Sequence, residues 1–435
     1  MDNPLGRLYR RVARAATALL PLLPSRARIP VYGKPLRCDV LPPPALVLKV
    51  AESQEEIDSS FRLLHDAYVG AGFMRLDRSG LRVTVYNALP TTTMLIACYG
   101  GKVVGSVSLI RESPFGFPMQ EVFNIDAIRA KGGGVAEVSG LAVQDGLQAS
   151  ADLVLFPLFK FVYEYATKYV DIRHLVIAAH PEHMDFYQSI LQFRRLQQAS
   201  VAHYDFVDGA PAVGGHLDLK AFPELMRRRY ENQEPAKNLY RYFVKMKMPN
   251  IVFPDKRFYT TNDPVMTPQL LDHFFNRRTQ VFAELNDEEK IWLHGAYDLA
   301  AYHAVLPALP EDSREEPGRA LRHERFSVAC PGRLVLGSGR SKQVYQIQVV
   351  QCSMNSFRAR STDALPVDVE GEAEIDLGRA DRSTMRVQVL RQATRAANTY
   401  VVKVKEPDLA WRKFVSALRK AWIRSDLDAA TRYLE

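Results

Sequence analysis

An α/β (α+β) chain that ends in a small antiparallel β-barrel is the fold class the sequence predicts, and three observations predict it. Helical and strand-like runs alternate from about Leu46 to Tyr230. A helix-rich stretch follows. From Arg322 to about Val404 the apolar residues fall into short β-like runs separated by turn-rich segments, the spacing of a barrel or sandwich. The 435 residues allow two or three domains, and 47% hydrophobic content against 24% charged excludes a disordered chain. No stretch reaches the roughly 18 uninterrupted apolar residues of a transmembrane helix, which excludes an integral multi-span protein. Fifty-seven Lys and Arg against 49 Asp and Glu leave a net charge of +8. An anionic partner is therefore expected, and the placement of the charges decides which.

Residues 1–44 form an appendage. Leu5, Leu8, Val12, Ala15, Ala16, Leu19 and Leu23 recur at helical spacing, with Arg7, Arg10, Arg11 and Arg14 opposite them, and Pro42-Pro43-Pro44 closes the segment as a stiff spacer. A basic amphipathic helix of this kind suits the anionic inner surface of a membrane, so the expected location is the cytoplasm with peripheral attachment there. The same arginines before a short apolar run also suit a signal peptide, but Arg26 and Arg28 follow closely and no A-x-A site ends the run.

Within 45–230, Ser53-Gln54-Glu55-Glu56 has the spacing of a capping box, and Ile57, Phe61, Leu64 and Tyr68 carry the apolar face of the helix it opens. Thr93–Tyr99 and Lys102–Ile110 flank Gly100-Gly101, the signal of a β-hairpin. Val135–Val143 reads as a third strand, and Ala149–Tyr169 as a largely helical run in which Pro157 marks a kink or the true start. His174–Ala179 is a short strand, and Pro181 sits at the first position of a helix that carries Tyr187. Residues 231–318 are a helical connector with N-caps at Thr267 and Asn286. Residues 319–435 hold the barrel and a closing helix from Trp411 to Trp422. Four cysteines without a CxxC pair suggest neither a zinc knuckle nor a disulfide framework, and a metal site is not expected.

The order helix, hairpin, strand, helix, strand, helix resembles the GNAT acyltransferase fold. Ala136-Glu137-Val138-Ser139-Gly140-Leu141-Ala142-Val143 is similar to the central-strand motif of acyl-homoserine-lactone synthases and, more closely, of FeeM-like long-chain N-acyl amino acid synthases. Ala178-Ala179-His180-Pro181-Glu182-His183-Met184-Asp185-Phe186-Tyr187 resembles the segment after the penultimate strand of that group, with His180 where an Asn often stands. The resemblance spans roughly residues 46 to 248. It implies a bacterial N-acyltransferase that joins a long-chain acyl group to the amine of an amino acid, with no tightly bound cofactor. Backbone N–H groups around Leu141, Ala142 and Val143 are then expected to face the thioester oxygen, Glu137 to accept the amine's proton, and Tyr187 to protonate the leaving thiolate. An unshifted Glu is a few pKa units too acidic for that task, so burial or a water relay is expected to help.

CoA-using members of the fold grip the pyrophosphate with a Q/R-x-x-G-x-G/A loop, of which Gln144-Asp145-Gly146-Leu147-Gln148-Ala149 keeps a single Gly and adds an acidic residue. The donor favoured is therefore acyl carrier protein, with acyl-CoA left open. Gln144 and Gly146 are assigned to the phosphopantetheine, and Arg173, Arg194 and Arg195 to a basic rim for the acidic carrier.

The last segment resembles the PilZ domain, a β-barrel that binds cyclic di-GMP, through Arg322-His323-Glu324-Arg325-Phe326, Val349–Phe357, Tyr400–Lys403 and the helix with Trp411. The resemblance places a ligand site at Arg322, Arg325, Gln351, Ser353 and Ser356. The arginines are spaced RxxR in place of RxxxR, and Ser356 replaces the Gly of the (D/N)xSxxG turn. Cyclic di-GMP is therefore expected to bind weakly or not at all, and the module to regulate or dock. No helix-turn-helix or stacking platform supports nucleic-acid binding. Two rival readings are a catalytically silent scaffold and an autoinducer-synthase-like enzyme, the latter without any motif for an adenosylmethionine donor. The amino acid, the chain length and the oligomeric state are not encoded in any motif found.

Overall fold

A computed structural model of the chain describes residues 38–39, 41–144, 153–254, 266–297, 300–309, 326–337, 342–378, 381–392 and 398–418. The basic N-terminal helix, Gly146, Arg322, Arg325 and the end of the closing helix lie outside the described residues.

The first body is one twisted mixed sheet. Its strands are β1 (Leu46–Val50), β2 (Thr92–Tyr99), β3 (Lys102–Arg111), β4 (Gly134–Val143), β5 (Ile172–Ala179), β6 (Arg194–Arg195), β7 (Val201–Tyr204) and β8 (Ala210–Asp218). The order is β1-β2-β3-β4-β5-β8-β6, with β7 also paired to β8. Only β4 and β5 run parallel, joined across the sheet face by α2 (Leu155–Glu164), as a parallel pair requires. The β2–β3 hairpin turns at Gly100 and Gly101, whose φ values of 56° and 81° are what a type I′ turn needs at both central positions.

Both faces of this sheet are covered, which is why β2 to β5 read as apolar runs rather than alternating ones. Leu95 and Ala97 of β2 point to the α2 side with Phe156, Leu158 and Val162; Met94, Ile96 and Cys98 point to the other. There they meet α1 (Gln54–Ala71), opened by the capping box: Ser53 Oγ accepts the Glu56 N–H at 3.2 Å and Glu56 Oε2 accepts the Ser53 N–H at 3.3 Å. Pro157 lies in the first turn of α2, which begins at Leu155 among the described residues.

The helical stretch completes this body. Thr267 caps Pro268–Leu271 and Asn286 caps α5 (Asp287–Ala296), after α3 (Pro181–Ser189) and α4 (Phe222–Tyr230). Leu270, Phe274 and Leu293 pack on Ile57 and Phe61 of α1, with the Phe61 and Phe274 rings edge to face at 5.2 Å. Leu239, Tyr242, Phe243 and Met248 fill the α2 side of the sheet, beyond the 230 boundary that pattern alone suggests.

The second body is a closed antiparallel barrel in the order β10-β11-β14-β13-β12-β9. Its strands are β9 (Phe326–Leu336), β10 (Gln343–Cys352), β11 (Ser356–Ser361), β12 (Glu370–Gly378), β13 (Asp381–Gln392) and β14 (Thr399–Glu406). A helix over 409–418 lays Trp411 fully buried on one barrel end, where its Nε1–H donates to the Ser353 and Met354 carbonyls at 3.2 Å each. Arg360 of β11 pairs at 3.0 Å with Asp171, the residue before β5.

Candidate active site

The site begins where β4 leaves β5. The two strands pair only from Gly134 to Glu137, while β5 runs on to Ala179 beside β8. At Gly140 the backbone takes φ 60°, a left-handed conformation that glycine adopts without a Cβ penalty, and the pairing with β3 shifts register there. The bulge turns residues 138–143 away from β5. A cavity of about 500 Å³ opens in the gap, bordered by β4 from Glu137 to Val143, the end of β5, the end of α1, α3 and residues 204–212. That size fits a small-molecule substrate site.

Glu137 is the last paired residue, and the pleat sends its side chain into the sheet's interior. It is 2% exposed, and its Oε2 accepts the Met119 N–H at 3.0 Å. Burial pushes its carboxyl up to about 8, with the Met119 bond opposing weakly. The sequence reading required such a shift for a base.

Tyr187 sits on α3, which Pro181 opens in the first helical position and which His180 caps through Nδ1, accepting the Glu182 N–H at 3.4 Å. Phe159, Phe186 and Phe193 surround its ring edge-on at 6.1, 5.6 and 5.8 Å. Burial raises its phenol, with the neighbouring Tyr68 adding to the effect. A second, apolar cavity of about 30 Å³ lies past Tyr187, Phe159 and Val138, walled by Val162, Leu175 and Phe243.

Two polar residues that sequence reasoning missed line the cavity, Tyr68 and Tyr204, and a third, Arg82, packs against the rings of Tyr68 and Phe206. Tyr68 lines the cavity, and burial raises its phenol, with Arg82 and the Gly140 amide opposing. Arg82 lies over the Tyr68 ring at 4.3 Å and donates to the Phe206 carbonyl at 2.6 Å. Tyr204 lines the cavity with its hydroxyl buried and bonded to nothing among the described residues. The helical periodicity placed Tyr68 on a core face, which is correct for its ring and silent about its hydroxyl. Arg82 and Tyr204 lie in short irregular stretches where no pattern marks them.

The model of the family described as N-acyl amino acid synthase FeeM matches residues 59–218, which include Tyr68, Arg82, Glu137, Tyr187 and Tyr204. The matched segment resembles a FeeM-type N-acyltransferase. Among solved structures, FeeM from uncultured soil microbes is 26% identical, with 41% of this chain and 93% of that chain covered and a TM-score of 0.35. The CoA-dependent acyl-homoserine lactone synthase BjaI is 18% identical over 49% of this chain and 95% of its own, with a TM-score of 0.34. An N-acetyltransferase from Staphylococcus aureus is 15% identical over 40% and 98%, with a TM-score of 0.30. No curated protein matches the chain.

In the matched segment, Leu141, Ala142 and Val143 border the cavity. Gln144 is exposed just past β4, its N–H bound to the Val104 carbonyl at 2.9 Å. Arg194 and Arg195 are exposed on β6, with Arg195 Nε donating to Gln188 of α3 at 2.9 Å. Arg173 is a correction. It lies at the opposite end of β5 from the cavity, held by Asp218 at 3.3 Å and the Lys131 carbonyl at 3.1 Å. In the barrel, Ser353 and Ser356 bond one another, hydroxyl to hydroxyl at 2.9 Å and Ser353 N–H to Ser356 carbonyl at 2.8 Å. Gln351 precedes them on β10 with its side-chain oxygen buried and unbonded among the described residues.

Proposed function

We propose that the protein transfers a long-chain acyl group from the thioester of acyl carrier protein, or of CoA, to the amine of an amino acid. The observation that carries this reading is the Glu137 carboxyl, buried beside the splayed strand at the edge of the cavity, with a proton affinity close to that of an α-amino group.

The reaction then runs as follows. The carrier's pantetheine lies along the free side of residues 138–143, and the thioester oxygen meets N–H groups around Leu141 to Val143. Glu137 takes one proton from the substrate ammonium, and the freed amine attacks the thioester carbon. The oxyanion that forms is stabilised by those N–H groups. When the carbon–sulfur bond breaks, Tyr187 gives its proton to the sulfur, and the proton shed by the new amide nitrogen restores the phenol. The products are an amide, a free thiol and a protonated Glu137 that returns its proton to water. The apolar lining of the larger cavity at Leu141, Val143, Leu155, Phe159 and Phe186 supports an apolar acyl tail. The exposed Arg194 and Arg195 support an acidic carrier protein. The barrel serves as a docking or regulatory module, and the basic N-terminal segment holds the chain against an anionic membrane surface.

Mass spectrometry of lipid extracts from a host that overexpresses the chain tests the proposal. New long-chain N-acyl amino acids are expected, and their loss in Glu137→Gln. Extracts identical to those of the empty host overturn the reading in favour of a silent scaffold.

A further inference from the structure

We propose that Arg82 is a positioning residue for acyl transfer: it clamps the Tyr68 and Phe206 rings, two walls of the cavity that come from distant parts of the chain, and so fixes the space left for the acceptor amino acid. The inference rests on the function proposed above and names what sets the acceptor's place in that site.

Tyr68 lies near the end of α1 and Phe206 in a single turn, residues 205–207, between β7 and β8; both line the cavity. Arg82 touches both. Its guanidinium carbon stands 4.3 Å from the centroid of the Tyr68 ring and 5.0 Å from that of Phe206, and its Nη2 donates to the Phe206 carbonyl at 2.6 Å. Its Nη1 lies 4.0 Å from the sulfur of Met74, in the loop that follows α1. A planar guanidinium against two π faces is attracted to both, while its N–H holds the backbone that carries one of them.

The turn's other polar ties are weak. Asp208 meets Arg75 at 3.4 Å, but the side chain of that arginine is 92% exposed, and such a pair contributes little. The Asp205 N–H donates to Glu121 at 3.3 Å, also at the surface. Phe206 in turn stacks on Tyr204 at 5.8 Å, so what Arg82 fixes at Phe206 reaches a third residue lining the cavity. In the proposed reaction the donor lies along residues 138–143 and Tyr187 faces the sulfur, which leaves the wall of Tyr68, Tyr204 and Phe206 to the acceptor. A residue that fixes this wall acts on how the acceptor is bound and aligned, and leaves donor binding alone. Misplacing a reacting group by about 1 Å can cost ~100-fold in rate.

The test uses the full chain with a long-chain acyl thioester of acyl carrier protein as donor and each of the common amino acids in turn as acceptor. Arg82→Met keeps the stem and removes the donors and the charge. In this variant kcat/KM for the best acceptor is expected to fall ~10- to 100-fold, with a raised acceptor KM and an unmoved donor KM. The ranking of acceptors flattens as well, because a wall no longer fixed discriminates less between small and bulky side chains. Arg82→Lys can still donate to the Phe206 carbonyl but presents no plane to the two rings, and it recovers part of the loss. Phe206→Leu removes one of the clamped rings and is expected to flatten the same ranking. It carries the comparison if Arg82→Met melts early.

An acceptor KM and a ranking that stay at parental values in Arg82→Met, or in Phe206→Leu where that variant replaces it, overturn the assignment. So does a fall in kcat shared equally by every acceptor with both KM values unchanged, the mark of a smaller folded fraction. Either result leaves amide formation by the parent intact and so strikes this inference alone. A parent that acylates no amino acid overturns both readings together.

Discussion

The Glu137 carboxyl accepts the Met119 N–H at 3.0 Å, and this bond ties the central strand to the turn at Pro118–Glu121 across an otherwise apolar interior. The bond fixes which oxygen of Glu137 is occupied. The other is left for a proton, and burial has brought the group's affinity for that proton to about 8.

Glu137→Gln removes proton acceptance while keeping the shape and the bond to Met119. Amide formation is expected to fall by ~100-fold or more, the usual contribution of a positioned base. Binding of the acyl donor stays near the parental level. For the parent, kcat is expected to rise with pH through a limb near 8 as Glu137 loses its proton. A variant within tenfold of the parent, or a profile flat from pH 6 to 9, removes Glu137 from the base role.

The same group predicts a stability effect of opposite sign. A carboxyl whose folded pKa lies above its unfolded value binds more protons in the folded state. Stability is therefore full below the unfolded value and declines as pH rises through the window from about 4.5 toward 8. Glu137→Gln escapes this loss. Melting curves at pH 6 and 8.5 should show the variant gaining on the parent at the higher pH, by on the order of a few kcal/mol at most. No pH-dependent gain means that the carboxyl is solvated in solution and not buried.

Tyr187→Phe is expected to slow turnover about tenfold, since burial holds the proton on the phenol and makes donation to sulfur a weaker aid than base catalysis. Tyr68 shares the cavity, so Tyr68→Phe in the same background separates the two hydroxyls. If Tyr187→Phe turns over at the parental rate while Tyr68→Phe does not, the acid role belongs to α1.

How much of this was legible in the sequence depends on whether the signal was local. The capping box at Ser53, the Gly100-Gly101 turn and the caps at Thr267 and Asn286 are short-range chemistry, and each sits where the residues placed it. The strand β8 was not visible, because Ala210-Pro211-Ala212-Val213-Gly214-Gly215 contains breakers. In the fold those glycines make room: a Cβ on Gly214 would stand 2.9 Å from Phe123 and Leu196, and one on Gly215 2.9 Å from Ile177. β11 and β12 escaped as well, since Ser356–Ser361 and Glu370–Gly378 are rich in charged and small residues and become strands only through barrel pairing. Glu137 and Tyr187, the candidates their motifs singled out, both line the cavity. Tyr204 was not singled out, because what marks it, a buried hydroxyl unbonded among the described residues, exists only after folding.

The barrel should not bind cyclic di-GMP at micromolar concentrations. Ser353 and Ser356 spend their hydroxyls on each other, and the Ser353 carbonyl holds the Trp411 indole, so the turn between β10 and β11 is committed to closing the barrel. Calorimetry with the nucleotide is expected to be silent. Submicromolar binding that disappears in Arg325→Ala would reverse this view and make the barrel a sensor.

The last prediction concerns a buried histidine pair far from the chemistry. His174 Nε2 lies 3.0 Å from the Gly132 carbonyl and its Nδ1 lies 3.1 Å from His216 Nε2. A carbonyl only accepts, so Nε2 of His174 carries the proton and its Nδ1 accepts from His216 Nε2–H; both rings are then neutral. Burial lowers both, His216 to about 4, with Lys131 and Arg194 assisting and Asp218 opposing. A base whose folded pKa is depressed contributes stability that is present above its unfolded value near 6.5 and is lost as pH falls toward the folded one. The pair therefore contributes a drop in melting temperature between pH 7.5 and 5, set against the opposite contribution of Glu137. In His216→Gln, whose amide N–H can still donate to His174 without titrating, the drop should shrink by several degrees. An acid-induced loss of equal size in the variant and the parent would assign it to other groups, Asp218 with its Arg173 partner first among them.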